Sequence, residues 1–425
     1  MEKEDPSKVL GASRLVRVRF GTFFAKRGNK TPLFELHNTY KNTSHMKRTL
    51  ITALAIASLA LQSCHAQRGD TPKENPSQIT VAQAAAPAAR LTLTDFTDVA
   101  AATIDGVVHI KTEMTQVTPL YQSFFGFIIP QGTRRQVYNA YGSGVIITSD
   151  GYILTNNHVV QDAERIFVTL NDRRELPARL VGNDPATDLA VVKVEAEGLT
   201  YIPFGNSDKA RIGEPVLAIG NPFNLTSTVT SGIISAKARN MNIIENPRGQ
   251  ETPLESFIQT DAAVNSGNSG GALVNALGEL IGVVTAIASG NGYYTGYSFA
   301  IPSNLAVKVA ADLQHYGYVQ RGYLGLHVTE VDAKVARQSG ARAVKGLYVV
   351  KVTHDCAADR AGIRQGDIIL RVAGVEVNTF AEMMEELGRF NPGDKVEVDF
   401  ERNGHTQTVE ATLLNSQGNT QIIRR

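Results

Sequence analysis

The chain has 425 residues and a net charge of +1, which gives no reason to expect a nucleic-acid partner or a charged membrane surface. Hydrophobic residues make up 43% and charged residues 20%, an ordinary globular composition, so the length predicts about two or three domains. The two cysteines, Cys64 and Cys356, cannot form a disulfide framework, and the nine histidines show no metal-ligand spacing. We therefore expect neither a metal site nor a cofactor.

Residues 46–66 have the pattern of a secretory signal peptide. Two basic residues follow Met46, and an apolar run of about a dozen residues then leads to small residues ending near Ala66. The run is shorter than the ~20 residues that a membrane-spanning helix needs. On this interpretation residues 1–45 lie upstream of the true start and the mature protein is exported. A cytoplasmic tail followed by a signal anchor is the alternative.

The end of this segment allows two kinds of processing. Leu61-Gln-Ser-Cys64 resembles a bacterial lipoprotein box, in which Cys64 is the residue to be acylated. Ordinary cleavage after Ala66 competes with this lipid anchor. Residues 67–90, which follow, are rich in Pro, Ala and polar residues and cannot build a core, so we expect a disordered linker there.

From about residue 106 to residue 301 the chain alternates between short apolar strands and turns. The spacing of about 8–15 residues predicts ten or so antiparallel strands in barrels or a sandwich, so that the fold is mainly β. The clearest of these strands are Ser143–Ile147, Tyr152–Thr155, Leu189–Val194, Pro215–Ile219, Phe257–Thr260 and Leu280–Thr285. The aromatic-rich segment 117–141 departs from this rhythm, and the sequence leaves open whether it is a mobile loop or a covered flap.

A helix is predicted after the last strand, with Ser303 as its N-cap and Gly317 at its end. Residues 321–415 then read as a small α/β domain, followed by a tail at 416–425. Within this domain a capping box, Thr379 to Glu382, begins a helix of about residues 379–390. Its apolar residues recur at helical spacing and share one face; they are Phe380, Met383, Met384 and Leu387.

The stretch from Asp261 to Ala272 is the strongest candidate for a reactive site. It sets Ser269 among glycines, and glycine lets a backbone adopt positive φ and turn its N–H groups toward one point. Acyl transfer needs such donors beside a nucleophile. Taken alone, the stretch is equally good turn chemistry. The interpretation of this stretch as a reactive site therefore depends on whether the chain also supplies a base and an acid.

His158 is the best candidate for the base, since it follows a predicted strand directly and can point into a cleft. Asp188 is the best candidate for the acid, because it stands where a turn enters an apolar strand. Asp184 is a weaker alternative in the open turn before Pro185. His109, inside a strand, is interpreted as structural.

Four segments together resemble the HtrA (Deg) family of serine proteases: Thr155-Asn-Asn-His158, Asp184-Pro-Ala-Thr-Asp-Leu-Ala190, Ala218-Ile-Gly-Asn-Pro-Phe223, and Thr260 to Ala272. The order His, Asp, Ser is that of the chymotrypsin-like double β-barrel. The resemblance implies a protease domain at 91–318 made of two antiparallel barrels. In it His158 is the general base, Asp188 orients the base, and Ser269 is the nucleophile.

The resemblance also implies roles for the residues around Ser269. The oxyanion hole would be built from Gly267, Asn268 and Ser269, with the N–H groups of Gly267 and Ser269 as donors and Asn268 setting the loop. In this family the peptide at Gly267 and Asn268 can flip, which would switch the site off. The substrate pocket would involve Val264, Ile287 and Ala288; the small Ala288 leaves the P1 preference open.

Two loops of the barrel domain also have counterparts in the family. Residues 224–230 correspond to a loop that rearranges on activation, and residues 117–141 correspond to a regulatory loop near the active site.

Residues 321–415 resemble a PDZ domain. Tyr323-Leu324-Gly325-Leu326 matches the loop that captures a peptide C-terminus. Met383, Met384 and Leu387 are candidates for its peptide groove, with a place in the core as the alternative. A single PDZ domain favours a homotrimer over a large cage.

The family resemblance implies an exported, ATP-independent serine endopeptidase of the periplasm or cell envelope, acting on unfolded or damaged proteins and regulated by C-terminal peptides. A DegS-like signalling protease, and a chaperone activity beside proteolysis, are the alternatives.

Overall fold

The structure is a computed structural model that describes residues 95–424, except 125–126, 223–226, 245–252 and 288–295. The side chains of residues 120–131 and of residues 286 and 287 also lie outside the description. The predicted upstream segment 1–45, the signal peptide, the lipid-anchor candidate Cys64 and the linker 67–90 all lie outside the described residues. No helix within the described ranges is long and apolar enough to cross a membrane.

Six antiparallel strands close the first barrel, in the order β1-β2-β3-β6-β5-β4. A short helix α1 (Thr97–Thr103) precedes the barrel, and helix α2 (Asn157–Val160) follows β3. Apolar side chains from alternate strand positions fill the barrel, as the period-two pattern predicts. The strands are β1 (Val107–Phe124), β2 (Phe127–Ile146), β3 (Tyr152–Asn156), β4 (Arg165–Thr169), β5 (Glu175–Asp184) and β6 (Leu189–Val194).

The segment 117–141 is a long β-hairpin rather than a loop or a flap. β1 and β2 pair continuously from Val107 opposite Val145 to Phe124 opposite Phe127, with one irregularity after Leu120. The outer half of the hairpin extends beyond the barrel and leaves apolar side chains such as Val137 exposed. The period-two pattern fades here because residues 116–119 and 132–137 are exposed whichever face they lie on.

Six further strands close the second barrel, in the order β10-β11-β12-β9-β8-β7. The longest of these strands runs without interruption from Thr228 to Arg239. The strands are β7 (Pro215–Gly220), β8 (Thr228–Arg239), β9 (Phe257–Thr260), β10 (Ala272–Asn275), β11 (Leu280–Ile287) and β12 (Ser298–Pro302). The prediction of a mainly β, double-barrel fold is confirmed.

Helix α3 (Ser303–Tyr316) packs on the junction of the two barrels. Its buried residues Leu305, Val309 and Leu313 belong to one core together with side chains from both barrels. The helix ends at Gly317, whose φ of 68° is left-handed, as predicted. The predicted N-cap was wrong: Ser303 is the first helical residue, and its hydroxyl donates to the carbonyl of Gly205 at 2.8 Å instead.

The C-terminal domain is a small sheet with three helices. Its sheet has the order β13-β14-β15-β17-β18, with β16 beside β15, so β13 lies at an edge. The capping box at Thr379 is present, and the left-handed pair Asn403 and Gly404 turns β17 into β18. The elements are β13 (Leu326–Glu330), α4 (Ala333–Ser339), β14 (Leu347–Val352), α5 (Ala357–Arg360), β15 (Ile368–Val372), β16 (Val375–Glu376), α6 (Phe380–Leu387), β17 (Lys395–Arg402) and β18 (His405–Thr412).

Candidate active site

The junction of the two barrels brings together His158, Asp188 and Ser269, which come from three different segments. α2 carries His158, the turn before β6 carries Asp188, and the loop between β9 and β10 carries Ser269. Two donors fix the first two segments to each other. The backbone N–H of Asn157 and the side-chain amide of Asn156 both donate to the carbonyl of Asp188, each at 3.0 Å.

Asp188 holds His158 through both of its carboxylate oxygens. The ring Nδ1 of His158 lies 2.7 Å from Oδ2, and the backbone N–H of His158 donates to Oδ1 at 3.0 Å. Because a carboxylate can only accept, this contact puts a proton on Nδ1 and leaves Nε2 as the basic nitrogen. Asp188 itself adopts a left-handed φ of 57°, which an aspartate tolerates better than most residues.

The pKa of His158 lies above its ordinary value. Burial alone would lower this pKa, but the charge of Asp188 and the hydrogen bond to it together outweigh burial. The side chain still keeps 29% of its surface exposed, so one edge of the ring faces solvent. A base with this environment can take a proton from a hydroxyl and then be stabilised as an imidazolium.

Thr285, a buried residue of β11, joins Asp188 to Ser269. Its hydroxyl donates to Asp188 Oδ2 at 2.7 Å, and its carbonyl accepts the hydroxyl of Ser269 at 3.3 Å. The sequence analysis missed this residue. The available signal was a single hydroxyl at the end of the apolar run that begins at Leu280, and such a residue is ordinary in a strand.

The loop before Ser269 leaves several of its backbone N–H groups without an acceptor among the described residues. Gly267 has a φ of 98°, in the left-handed region that glycine permits. The N–H of Asn268 donates to the carbonyl of Asn265 at 3.0 Å, so Asn268 shapes the turn. In contrast, the N–H groups of Gly267 and Ser269 have no acceptor within the described part of the chain. These two open donors lie on either side of Asn268, next to the Ser269 hydroxyl.

Asp184, the alternative acid, faces a different part of the molecule. Its carboxylate is buried against the guanidinium of Arg321, and Thr187 also donates to it. His109 is buried, as the structural interpretation predicts: Nδ1 lies 2.8 Å from the carbonyl of Asn221, and the ring stacks on Tyr141 at 5.7 Å. Neither residue belongs to the group around Asp188.

The predicted pocket residues are only partly described. Val264 is buried with the core of the second barrel. Ile287 ends β11, and its side chain lies outside the described residues, as does Ala288. The assignment of these three residues to a substrate pocket therefore stays a prediction. The same holds for the predicted rearranging loop, since residues 224–226 fall in a gap.

The C-terminal domain presents a backbone site at Leu324 and Gly325, whose N–H groups have no acceptor among the described residues. Gly325 has a φ of 80°, and its carbonyl accepts the N–H of Thr353 at 3.0 Å. Leu326 opens the edge strand β13, and Tyr323 pairs with Leu414. This loop beside a sheet edge has the geometry for an extended peptide with a free carboxylate.

The helix residues predicted to line this groove are mostly core. Met383 and Leu387 are buried in the core of the C-terminal domain together with Leu324. Met384 points the other way and packs against the core at the barrel junction. The assignment of Met383, Met384 and Leu387 to a peptide groove therefore stays a prediction, because helical spacing cannot tell the two sides of a doubly covered helix apart.

Comparison with known proteins divides the chain as the structure does, into a double-barrel domain and a smaller C-terminal domain. Residues 142–283 match the family model described as a trypsin-like peptidase domain, and residues 322–413 match the PDZ domain. The fold, the site and these matches define a trypsin-like serine endopeptidase followed by a single PDZ domain.

The similar proteins are named as periplasmic serine endoproteases or as an HtrA-type protease. A probable periplasmic serine endoprotease DegP-like of Ectopseudomonas mendocina (strain ymp) is 39% identical over 76% of this chain and 71% of its own length. The periplasmic pH-dependent serine endoprotease DegQ of Escherichia coli (strain K12) is 41% identical over 73% of this chain and 68% of its own length. Among solved structures, the HtrA-type protease AlgW with a decapeptide is 37% identical, with a TM-score of 0.58 over 76% of this chain and 98% of AlgW. The chain belongs to the HtrA/DegP-like family of serine endoproteases.

Proposed function

We propose that Ser269 is the nucleophile of this endopeptidase, His158 its general base and Asp188 the residue that orients the base. The observation that carries the proposal is the contact of Asp188 with both His158 and Thr285, with Thr285 in turn bonded to the Ser269 hydroxyl. The three groups are thus held together by hydrogen bonds rather than merely sharing a cleft.

The reaction follows from this geometry. Ser269 Oγ adds to the carbonyl carbon of the scissile peptide bond while His158 Nε2 takes its proton. The carbonyl oxygen becomes an oxyanion that accepts hydrogen bonds from the open N–H groups of Gly267 and Ser269. The C–N bond then breaks, and the imidazolium returns its proton to the leaving amine. Water attacks the acyl-enzyme by the same route and releases the acid.

The substrates we propose are unfolded or damaged proteins of the cell envelope, cut without ATP. The relatives named above are periplasmic, and the chain carries an export pattern at 46–66. The same reasoning supports a periplasmic or envelope location, with a lipid anchor at Cys64 as one form of attachment. We also propose that the chain assembles as a homotrimer, as the family resemblance implies.

The PDZ domain is proposed to regulate this activity by binding peptide C-termini. The open N–H groups of Leu324 and Gly325 beside the edge strand β13 support peptide binding, and the related AlgW structure was solved with a decapeptide. A signalling protease that is active only with such a peptide is the second candidate. A chaperone activity beside proteolysis is the third.

One substitution tests the first proposal. Ser269→Ala is expected to abolish casein cleavage and labelling by a fluorophosphonate, whereas Ser149→Ala, at an exposed serine in the turn after β2, retains both. A Ser269→Ala protein that still cleaves casein contradicts the assignment of the nucleophile. Suppression of aggregation that survives in Ser269→Ala supports the chaperone activity.

The regulatory proposal is tested on the full chain with two matched peptides. One peptide carries a free C-terminal carboxylate and the other has the same sequence with an amidated end. Stimulation of cleavage by the first alone supports recognition of the carboxylate by Leu324 and Gly325. Cleavage that is absent without peptide marks the signalling protease, and equal responses to both peptides contradict the proposal.

A further inference from the structure

Ser143, a fully buried residue of β2, makes four hydrogen bonds to the segments around the proposed oxyanion hole. Its hydroxyl donates to the carbonyl of Gly267 at 2.6 Å, and its backbone N–H donates to the carbonyl of Ser269 at 2.8 Å. The same hydroxyl accepts the N–H of Asn221 at 2.8 Å. Its carbonyl accepts the hydroxyl of Thr155 at 2.7 Å. Ser143, in the first barrel, therefore holds the carbonyls of Gly267 and Ser269, which flank Asn268 in the second barrel.

These contacts fix the direction of the hydroxyl of Ser143. A hydroxyl has one proton to donate, and the N–H of Asn221 approaches the oxygen as a donor. The proton is therefore directed at the carbonyl of Gly267. Asn221 is itself held through its carbonyl by the buried ring of His109. The donor is thus oriented before any substrate arrives, which is what preorganisation of an oxyanion hole requires.

The bond to Gly267 bears directly on the loop geometry. In a trans peptide the carbonyl of Gly267 and the N–H of Asn268 point in opposite directions. Ser143 binds the first and Asn265 binds the second, so any rotation of this peptide breaks two hydrogen bonds. The N–H of Gly267 stays open only while the residue keeps its positive φ, and the bond from Ser143 stabilises that conformation.

The loop also packs closely against Ser143 and against the end of β7. A Cβ atom placed on Gly270 would lie 2.1 Å from the carbonyl oxygen of Ser143 and 2.4 Å from the hydroxyl of Thr155. A Cβ atom on Gly220 would lie 2.3 Å from the side-chain oxygen of Asn268. The glycines let the loop lie directly on Ser143 and on β7, so the loop is seated by close contact as well as by hydrogen bonds.

We propose that Ser143 is a positioning residue for the oxyanion hole, acting through the carbonyls of Gly267 and Ser269. It bonds to Ser269 only through the backbone carbonyl of that residue, and not through the Oγ that acts as nucleophile. Its hydroxyl sets the orientation in which the N–H groups of Gly267 and Ser269 face the developing negative charge. This inference deepens the proposed function and rests on it.

The test compares Ser143→Ala with Ser303→Ala in the full chain, by kinetics on a chromogenic peptide. Both serines are buried and donate to a backbone carbonyl, Ser303 to that of Gly205 at 2.8 Å. Ser143→Ala is expected to lower kcat by about tenfold to a hundredfold, less than the ~10²–10³ for losing an oxyanion donor outright. KM should change little, and the acid limb of the pH profile should stay in place because His158 and Asp188 are untouched. Ser303→Ala should keep the wild-type kcat.

A second variant covers the case in which Ser143→Ala does not fold. Thr155→Val removes the hydroxyl that donates to the carbonyl of Ser143, but it keeps the shape of the Thr155 side chain and leaves the hydroxyl of Ser143 in place. It is expected to lower kcat less than Ser143→Ala does, again at constant KM.

Either of two results overturns the inference: a folded Ser143→Ala protein with wild-type kcat, or a fall in kcat no larger than that of Ser303→Ala. If Ser143→Ala does not fold, a wild-type kcat for Thr155→Val overturns it. The proposed function fails separately, if Ser269→Ala still cleaves.

Discussion

Arg321 and Asp184 form a buried ion pair that joins the start of the PDZ domain to the turn that carries Asp188. Only 7% of the Arg321 side chain and 4% of the Asp184 side chain are exposed. Thr187 donates its backbone N–H to the same carboxylate at 3.1 Å. The turn that presents Asp188 is therefore fixed on one side by His158 and on the other by the segment that leads into the second domain.

Replacing Asp184 by Asn should destabilise the protein strongly. The change removes the negative charge that faces the buried guanidinium of Arg321, and loss of one partner of a buried pair costs about 3–5 kcal/mol. Asp172→Asn is the matched control, since Asp172 pairs with Arg174 at the surface, where an ion pair contributes about 0–1 kcal/mol. Denaturant unfolding measures both variants. Equal losses in the free energy of unfolding would contradict the role assigned to this pair.

Thr285→Val should reduce catalysis without disturbing the fold. It removes the hydroxyl that donates to Asp188 Oδ2 but keeps the carbonyl that accepts the hydroxyl of Ser269. We expect kcat/KM to fall about tenfold, less than the ~10²–10⁴ that a general base contributes, because His158 itself stays in place. With one donor fewer on the Asp188 carboxylate, its negative charge acts more strongly on His158, so the pKa of His158 should rise.

Thr285→Ser, which keeps the hydroxyl, is the control and should stay near wild type. A Thr285→Val enzyme as active as Thr285→Ser would show that the hydroxyl does not help to hold Asp188.

The sequence predicted the proposed roles of His158, Asp188 and Ser269 because each of these residues stands in a local motif. His158 follows a strand, Asp188 precedes one, and Ser269 lies among glycines that a nucleophile loop needs. The residues that join them carry no such signal. Ser143 and Thr285 are single hydroxyls inside apolar strands, and their partners lie far away in the chain. Only strand register and the closure of both barrels decide where these hydroxyls point.

The packing of the segment 117–141 and of α6 was not predicted either, because it too depends on contacts that the local sequence does not show. The strand pattern of the segment 117–141 fades where the hairpin leaves the barrel and neither face is buried, so the period-two signal disappears. The helix α6 is covered on two sides, with Met383 in its own domain and Met384 against the barrels. A single amphipathic face was visible in the sequence, but two packing partners share it.

The pH dependence of kcat/KM should reflect the raised pKa of His158. A general base must be neutral, so activity rises with pH through that pKa, and the acid limb should have its midpoint above the ordinary value for histidine. Asp188→Asn removes the charge that raises the pKa and leaves burial, which lowers it. The midpoint should then move to lower pH while kcat falls steeply.

Initial rates on one peptide substrate test this prediction. They are measured between about pH 5 and 9, a range that includes the pKa of an unperturbed imidazole. An acid limb that stays in place in Asp188→Asn would mean that another group controls it.

Arg389, just after α6, holds the PDZ domain on the protease domain, and the two domains belong to one compact unit. Its guanidinium donates two hydrogen bonds to Asp208, at 2.8 and 2.7 Å, and lies 3.1 Å from Glu386 and 3.7 Å from Glu385. Glu385 also accepts the hydroxyl of Ser256, from the segment before β9. One cation therefore faces three carboxylates at the contact between the domains.

Arg389→Ala should loosen this contact at neutral pH, because the three carboxylates then repel one another. We expect faster amide hydrogen exchange in α6 and β8, with the core of each barrel unchanged. Arg371→Ala, which removes an exposed pair with Glu376, is the control and should leave this exchange as it is.

Burial raises the pKa of Glu385 and of Glu386, so both carboxyls take up protons as pH falls through those values. The repulsion then disappears, and the difference between Arg389→Ala and wild type should shrink at acidic pH. A difference that grows on acidification would show that repulsion between these carboxylates is not its cause.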